Sequence, residues 1–330
     1  MKAIIVKSFG DTDVMQLEER VCPRPGDGEV LISHSFMGVN FADISQRQGL
    51  SQGSGTQYDT DLPYIPGNEA SGLVEKIGSN VSALSPGDRV VYRGIFGAYS
   101  EAAVVPESSV IKVPPEIDLE TAAAVFTQGL TAHYVTNDAY SVSEGDWILV
   151  HAAAGGSGGL VAQMAKQKGA RVVSTASTEK KLAHIKGLGS DFSINYKRDD
   201  FEKAALEILN FPKFNAILDN VSAVTFEKNL RLLRPRGTLV IFGASSGPIQ
   251  PFNLQRLNPL GSIAIRRTNL KHYIKTRTEL TTRTADLFSM LTRGEIRVVI
   301  DKVYPLADAN LAHQRISARK NIGKVLLTNN

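Results

Sequence analysis

Short runs of apolar and β-branched residues alternate with polar turns in the first third of the chain. The runs span residues 3–6, 29–40, 70–78 and 88–92, and turn sequences containing Pro-Gly bound them. This spacing predicts a β-rich first domain. Near residue 120 an Ala-rich segment with helical periodicity follows.

From residue 146 onward, continuous apolar runs of strand length alternate with amphipathic runs of helix length. Five such strands with helices between them predict a doubly wound parallel sheet, so the expected fold class is α/β. A strand over 262–267 then leads into a helix at about 272–293, and the last residues return to strand, helix and strand.

Composition narrows the classes of function. The 330 residues suffice for two domains, and the formal net charge of +4 comes from interleaved charges, which does not indicate nucleic acid. Cys22 is the only cysteine, so no internal disulfide can form and we expect a reducing, cytoplasmic compartment. No apolar run approaches the roughly 18–20 residues of a membrane helix, and the N-terminus resembles a first strand rather than a signal peptide.

A glycine-rich segment over 151–159 lies between the first strand of the expected parallel sheet and a helix. Small residues there allow the backbone to approach a pyrophosphate, and the helix start offers N–H groups and the positive end of its dipole. We place Gly155, Gly156 and Gly158 in this role. A flexible turn is the alternative, but the position inside a regular βαβ unit favours dinucleotide binding.

The end of the next strand bears on which dinucleotide is bound. NAD-specific proteins usually hold an acidic residue there. Here residues 174–178, including Ser177, carry no charge, and Lys180 and Lys181 follow. Tyr196 ends the third strand, whose carboxyl end opens on the same edge of the sheet. These residues favour the 2′-phosphate of NADPH; the alternative for the two lysines is a solvated helix surface.

The chain resembles the zeta-crystallin-like quinone oxidoreductases, which belong to the medium-chain dehydrogenase/reductase superfamily. The similarity rests on the glycine-rich segment together with GVNFAD, PGNEASG, GDRVVY, GAYSE, FGASSG, TRTELT and SARKNIGKVLL, which span nearly the whole chain. It implies a GroES-like β-barrel over 1–125, a Rossmann domain over 126–266, a C-terminal return to the first domain over 267–330, and NADPH in the cleft between the domains. Members of the family form dimers or tetramers, so we expect a homodimer or homotetramer.

The resemblance also implies roles for individual residues along the cofactor. They are Asn40 and Thr131 at the nicotinamide, Gly156 and Ser157 at the pyrophosphate, Lys181, Tyr196 and Arg319 at the 2′-phosphate, Phe242, Ser245 and Ser246 along the ribose and nicotinamide, and Arg267 close to the cofactor. The alternative for Phe242 is a core aromatic, and the alternative for Arg319 is a surface residue in a basic tail.

Two departures from the family pattern lie where substrate should enter. Ser45 stands where many members carry a tyrosine, and the segment around 51–61 is longer than usual. We expect the 49–63 loop to be functional, and the missing ring to leave room for a quinone of two or three rings. The longer loop could instead fold inward and refill that space.

The positions of zinc ligands in metal-dependent members of the superfamily read Asn40 and Asn68 here. Zinc takes Cys, His or carboxylate ligands in sets, so we expect no metal. A quinone needs no Lewis acid because its ring is electrophilic and its reduced product is aromatic. Catalysis then consists of orientation and exclusion of water. Asn40, Asp43 and Ser45 are the candidate catalytic residues, although Asp43 could simply cap the helical turn that follows.

The expected function is NADPH-dependent quinone reduction by hydride transfer. One alternative keeps the cofactor and reduces α,β-unsaturated aldehydes or ketones, whose carbon is similarly electrophilic. A second alternative is an NADPH-regulated RNA-binding or structural protein. It ranks last, because the sequence lacks a basic stripe with interleaved aromatic residues.

Overall fold

The computed structural model describes residues 1–50, 52, 59–210 and 213–329. Residues 51 and 53–58 of the expected 49–63 loop lie outside these ranges, and our expectation for the role of this segment therefore lies outside the described residues. The strands of the described residues are β1 (Lys2–Val6), β2 (Met15–Glu19), β3 (Glu29–Val39), β4 (Glu69–Ile77), β5 (Arg89–Arg93), β6 (Ala102–Pro106), β7 (Val110–Lys112), β8 (Trp147–Val150), β9 (Arg171–Ala176), β10 (Phe192–Asn195), β11 (Phe214–Asp219), β12 (Leu233–Ile241), β13 (Ala264–Arg267), β14 (Ile300–Pro305) and β15 (Lys324–Thr328).

The α-helices within the same ranges fall mostly where the sequence pattern indicates them. They are α1 (Phe41–Arg47), α2 (Leu119–Tyr134), α3 (Gly156–Gln167), α4 (Glu179–Gly187), α5 (Phe201–Leu209), α6 (Phe226–Leu232), α7 (Arg277–Thr292) and α8 (Ala309–Ser317). Within the described ranges, no helix has the length and apolar character needed to cross a membrane.

Contacts divide the chain into two units, the first of which combines Met1–Thr127 with Val298–Asn330. Its main sheet has the order β14-β15-β3-β4-β5-β7, with β6 also paired to β3. The C-terminal strand β15 runs antiparallel to β3, with Val325 opposite Val39 and Leu326 opposite Gly38. The end of the chain is therefore built into the sheet beside the strand that leads into α1.

The second unit, Gln128–Arg297, is the doubly wound parallel sheet that the sequence predicts. Its strand order is β10-β9-β8-β11-β12-β13, so the direction of winding reverses between β8 and β11. Helices cover both faces of such a sheet, which explains why the central strands are apolar without interruption. Ile148, Leu149 and Val150 of β8 are fully buried. Dinucleotides bind at the carboxyl ends of the strands on either side of this reversal.

The second unit extends further along the chain than the expected boundary at residue 266. β13 pairs with β12 at the edge of the parallel sheet, and α7 is tied to the unit by two hydrogen bonds from Arg283 to Asp138, of 2.7 and 3.0 Å. The return to the first unit therefore begins at Val298. The expected helix over 272–293 starts later, at Arg277, because Thr276 caps it by accepting from the backbone N–H of Glu279.

Candidate active site

The glycine-rich segment forms the turn from β8 into α3. Gly155 is the N-cap residue, in an extended conformation, and having no side chain it leaves the first N–H groups of the helix uncapped. Two hydrogen bonds connect the turn to β9. The backbone N–H of Ala152 donates to Thr175 Oγ1, and the backbone N–H of Ala153 donates to the Thr175 carbonyl. A helix start of this kind is a favourable site for a phosphate group.

A Cβ at two glycines of this turn would come too close to neighbouring atoms, which are backbone atoms at Gly158 and the end of a glutamine side chain at Gly156. A Cβ on Gly158 would lie 2.7 Å from the carbonyl oxygen of Ala152, and a Cβ on Gly156 would lie 1.7 Å from Gln128 Oε1. Gln128 Oε1 is buried and has no hydrogen-bond partner among the described residues. Gly155, Gly156 and Ser157 remain half-exposed. Exposed N–H groups and this close packing fit the pyrophosphate of a dinucleotide.

A buried polar network supports the turn from inside the second unit. His151 Nε2 lies 2.8 Å from Asn229 Oδ1, and its Nδ1 lies 3.1 Å from Thr175 Oγ1. Asn229 Nδ2 donates to Asp219, a fully buried carboxylate at the end of β11 that also accepts from Thr225. The network connects the ends of β8, β9 and β11, so it fixes the glycine turn relative to the sheet.

The other proposed cofactor residues of the second unit follow the carboxyl ends of neighbouring strands. Ser177 is buried just after β9, and Lys181 is half-buried on the first turn of α4. Tyr196 follows β10 and is half-buried. Phe242 follows β12 and is half-buried too, so it is not a core aromatic. The parallel sheet therefore brings these residues to one edge.

Four further candidates of the second unit have defined surroundings. The Ser246 hydroxyl donates to the Val221 carbonyl and accepts from the Val224 N–H, which ties its loop to the one after β11. Arg267, at the end of β13, donates to the carbonyl of Ile241. The other two are the half-buried residues Thr131 of α2 and Ser245 of the loop after β12.

The catalytic candidates lie on α1 and at the residue that precedes it, in the first unit. Asn40 is the N-cap residue of this helix, and its backbone N–H donates to Asp43 Oδ2 at 2.8 Å. Asp43 therefore caps the first turn of α1, which is the alternative role expected for it from the sequence. Ser45 is half-buried on the same helix. Arg319, the candidate for the 2′-phosphate, is an exposed residue after α8 in the same unit.

The Asn40 carboxamide contacts a buried ion pair. Lys324 and Glu69 pair directly, and their side chains are 1% and 0% exposed. Asn40 Oδ1 accepts from Lys324 Nζ at 2.9 Å, while Asn40 Nδ2 donates to Glu69 Oε1 at 2.8 Å. Burial alone would raise the pKa of Glu69, but the Lys324 ammonium and the hydrogen bonds hold it below its ordinary value.

Asp43 is fully enclosed. Its carboxylate accepts from Tyr99 Oη at 3.2 Å and from Asn68 Nδ2 at 3.2 Å, besides the backbone N–H of Asn40. Burial raises the pKa of Asp43 to about 7, despite the hydrogen bond from Asn40 and the charge of Lys324. Tyr99 Oη also lies 3.0 Å from Nε2 of His313, whose pKa burial lowers to about 3. Asp43 thus anchors α1 from the inside.

Sequence reasoning missed Glu69, Lys324, Tyr99 and His313. Lys324 and Asn40 are 284 positions apart, and no local periodicity connects them. The only signal for Glu69, Tyr99 and Lys324 was their occurrence in the segments PGNEASG, GAYSE and SARKNIGKVLL, which carry the family resemblance, and His313 lies in none of these segments. In the described part of the chain, no group of three or more His, Cys, Asp or Glu residues could hold a metal ion.

Comparisons with known proteins agree with this architecture. Residues 26–115 match the family described as alcohol dehydrogenase GroES-like domain, and residues 156–289 match the family described as zinc-binding dehydrogenase. The second match does not include positions 40 and 68. The first unit is accordingly GroES-like, and the second unit is Rossmann-like, as the resemblance implies.

Three relatives cover nearly the full chain. A quinone oxidoreductase of Pseudomonas aeruginosa is 36% identical over 99% of both chains, and a 2-haloacrylate reductase of Burkholderia sp is 34% identical over 98% of both. The crystal structure of Escherichia coli quinone oxidoreductase complexed with NADPH is 35% identical, with a TM-score of 0.95 over 99% of this chain and 100% of that one.

Proposed function

Because this chain belongs to the zeta-crystallin-like quinone oxidoreductases of the medium-chain dehydrogenase/reductase superfamily, we propose that it reduces quinones with NADPH and without a metal ion. In the balanced reaction NADPH, one proton and a quinone give NADP⁺ and a hydroquinone. NADPH supplies the hydride when bound. The protein contributes binding, orientation and a hydrogen bond at the quinone oxygen.

The observation that carries the metal-free mechanism is the ammonium of Lys324, 2.9 Å from Asn40 Oδ1. Asn40 stands where metal-dependent members of the superfamily hold a zinc ligand. Lys324 Nζ donates to the Asn40 oxygen and pairs with Glu69, so both oxygen-bearing groups are engaged, and a carboxamide is not among the usual zinc ligands. An electrophilic acceptor such as a quinone suits a site of this kind, since it needs no Lewis acid.

We assign the cofactor contacts as follows. The pyrophosphate binds at Gly155, Gly156 and Ser157, where no side chain caps the N–H groups at the start of α3 and the adjacent Gly158 packs closely against the backbone of Ala152. The 2′-phosphate is held by Ser177, Lys181, Tyr196 and Arg319. The remaining contacts, along the ribose and nicotinamide, are Asn40, Thr131, Phe242, Ser245, Ser246 and Arg267.

The three candidate catalytic residues have different roles in this proposal. Asn40 is half-exposed and presents its carboxamide to the nicotinamide or the quinone oxygen. Asp43 is fully buried and acts through Asn40, because its carboxylate accepts from the Asn40 backbone N–H and fixes the start of α1. Ser45 shapes the acceptor pocket by its small size.

A second function has a specific observation in its favour. The relative named 2-haloacrylate reductase is 34% identical over 98% of both chains, and its name denotes reduction of an activated carbon–carbon double bond. An enone or enal would use the same cofactor contacts. The substrate class is therefore quinones in our main proposal, and activated alkenes in the alternative.

The deciding experiment is NADPH oxidation by the purified protein with a panel of quinones and a panel of α,β-unsaturated carbonyls, run in parallel with NADH. We expect kcat/KM to be highest for quinones with NADPH, no zinc by elemental analysis, and full activity in chelator. Higher kcat/KM for the enones would favour the alternative function. One tightly bound zinc per chain would contradict the metal-free mechanism.

We also propose a homodimer or homotetramer in a reducing cytoplasm. Among the described residues β13 is an edge strand of the six-stranded sheet, and its outer side offers backbone groups for pairing with a second copy. The exposed Cys22 is the only cysteine, as in a protein that does not rely on disulfides. Light scattering coupled to size-exclusion chromatography tests the assembly, and a monomer at micromolar concentration would contradict it.

A further inference from the structure

We infer that Lys324 and Glu69 are positioning residues for the reaction, because their buried ion pair sets and holds the orientation of the Asn40 carboxamide. This inference deepens the proposed function and rests on it, since Asn40 is the group we place at the reacting end of the site. Lys324 and Glu69 themselves do not contact substrate or cofactor in this proposal.

The chemistry of the two partners leaves the amide a single orientation. A lysine ammonium only donates hydrogen bonds and an ionised carboxylate only accepts them. Asn40 Oδ1 faces Lys324 Nζ at 2.9 Å, and Asn40 Nδ2 faces Glu69 Oε1 at 2.8 Å. A flipped amide would set its NH₂ against the ammonium and its oxygen against the carboxylate. The contact with Glu69 uses only one of the two N–H groups of Asn40 Nδ2.

The fold gives the ion pair a fixed place. Glu69 starts β4, and its second oxygen accepts from the backbone N–H of Thr127 at 3.0 Å. Gly38 on β3 makes room for the carboxylate, because a Cβ there would lie 2.1 Å from Glu69 Oε1. Lys324 starts β15, which pairs with β3. Three adjacent strands therefore hold the two charges.

Burial of the ion pair is what holds the Asn40 amide in one orientation, and an amide paired with exposed charges would not be held in this way. The side chains of Lys324 and Glu69 are almost inaccessible to water, so solvent does not compete for their hydrogen bonds with Asn40. An unanchored asparagine would sample both amide orientations, and only one of them presents a donor in the required direction. Orientation of this kind acts on kcat rather than on cofactor affinity.

The test removes both charges together, in the variant Glu69→Gln/Lys324→Met, because removing one partner would leave a buried unpaired charge. The pair is combined with Asn40→Ala in a double-mutant cycle. When Asn40 is kept, we expect removal of the ion pair to lower kcat for quinone reduction by ~10–100-fold and to leave NADPH affinity almost unchanged. In the Asn40→Ala background the same replacement should cause no further loss of kcat. Equal losses in both backgrounds would show a merely structural role and overturn the inference.

The second readout is independent of activity. The side-chain amide signals of Asn40, assigned by their loss in Asn40→Ala, are observed by ¹H–¹⁵N NMR in the protein without ligands. In the wild type we expect two well-separated signals, one of them shifted by the hydrogen bond to Glu69, and both should move toward solvent-like values in Glu69→Gln/Lys324→Met. Solvent-like signals in the wild type would overturn the inference even if the variant fails to fold.

A matched control removes an exposed ion pair, Arg256 with Glu227, by Arg256→Met/Glu227→Gln, and should change neither kcat nor the Asn40 signals. The outcomes also separate the two proposals. If the wild type reduces no quinone, the proposed function fails, while the NMR measurement still decides whether the ion pair holds Asn40.

Discussion

Lys181 is the residue at which cofactor preference can be tested most directly. It lies on the first turn of α4, where its backbone N–H donates to the Thr178 hydroxyl and its side chain is half-buried at the edge of the parallel sheet. A charge-assisted hydrogen bond contributes about 1.5–3 kcal/mol. Lys181→Ala should therefore weaken NADPH binding roughly tenfold or more and leave NADH binding unchanged.

The measurement for Lys181 is the dissociation constant of both cofactors by fluorescence or calorimetry. Lys180→Ala is the matched control, because Lys180 is the neighbouring lysine and is exposed. Equal weakening of NADPH and NADH by Lys181→Ala would show that this lysine does not contact the 2′-phosphate.

Ser45 tests the width of the acceptor pocket. A tyrosine introduced at this half-buried position would occupy space beside the catalytic candidates of α1. Each additional ring of a quinone contributes roughly 25 cal/mol per Å² of buried apolar surface, so the wild type should favour two- and three-ring quinones. Ser45→Tyr should shift the preference, measured as kcat/KM corrected for reduction potential, toward one ring. The exposed Ser82→Tyr is the control, and an unchanged preference in Ser45→Tyr would remove position 45 from the pocket.

His313 makes the fold sensitive to acid. Burial lowers the pKa of His313 to about 3, so the folded state keeps it neutral where the unfolded chain, with an ordinary pKa of ~6.5, would bind a proton. The stabilisation is complete above about pH 6.5 and is lost as the pH falls, by up to ~1.4 kcal/mol per pH unit. His34, whose pKa burial lowers to about 4, acts in the same direction.

Asp43 acts in the opposite direction. Its pKa is raised to about 7, so between about pH 4 and 7 its contribution to stability falls as the pH rises. Comparing His313→Gln with the wild type therefore separates the contribution of His313 to the pH dependence of stability from that of Asp43. His313→Gln should lower the dependence of the unfolding free energy on pH between about pH 4.5 and 6.5, measured by urea titration, and His34→Gln should give a similar change. Parallel curves for His313→Gln and the wild type would contradict this assignment.

At the scale of elements, the turn from β8 into α3 depends on glycine for space. A Cβ on Gly158 would approach the backbone of Ala152 to 2.7 Å and that of Ala153 to 3.0 Å, and backbone atoms cannot move aside as a side chain can. Gly158→Ala should therefore shift the turn, cost roughly 1–3 kcal/mol of stability and weaken NADPH binding. The measurements are the melting temperature and the NADPH dissociation constant.

Gly187, the last residue of α4, provides the control for Gly158. A Cβ there would meet no atom within 4 Å, and alanine has a higher helix propensity than glycine. Gly187→Ala should leave NADPH binding unchanged and stability equal or higher. If Gly158→Ala also bound NADPH normally, the close packing of this turn would not be required for the cofactor.

At the scale of the whole molecule, the two units differ in how the chain forms them. The second unit is the continuous segment Gln128–Arg297, whereas the first needs both ends of the chain. Without residues 298–330 the first unit loses β14, β15 and α8, and the buried Glu69 loses Lys324. Truncation after Arg297 should therefore abolish cooperative unfolding of the first unit, while Gln128–Arg297 expressed alone should fold.

The matched control for this prediction is a shortened chain in which a flexible linker joins residues 1–127 to 298–330. It restores the strand β15 beside β3 and should unfold cooperatively, as measured by circular dichroism during heating. Cooperative unfolding of the first unit in the chain truncated after Arg297 would show that its core does not depend on the C-terminal segment.

The sequence by itself determined the features that depend on neighbouring residues. The alternation of apolar runs predicted the parallel sheet, because each βαβ unit is local, and the glycines of residues 155–158 mark a turn whose geometry is set within a few residues. Periodicity was less informative for β2, β6 and β7, which are short and were not predicted. The start of α7 depended on the Thr276 cap, which a pattern of apolar residues does not reveal.

The tertiary structure alone decided which distant residues meet at α1. Asn40, Glu69 and Lys324 come from three strand ends, and His313 reaches Tyr99 across 214 positions. Their contacts follow from the pairing of β15 with β3 and from the burial of charges that must find partners when water is excluded. The sequence pattern shows that each of these residues is polar. The interaction energy that holds their side chains in place depends on distances between side chains, which exist only in the folded chain.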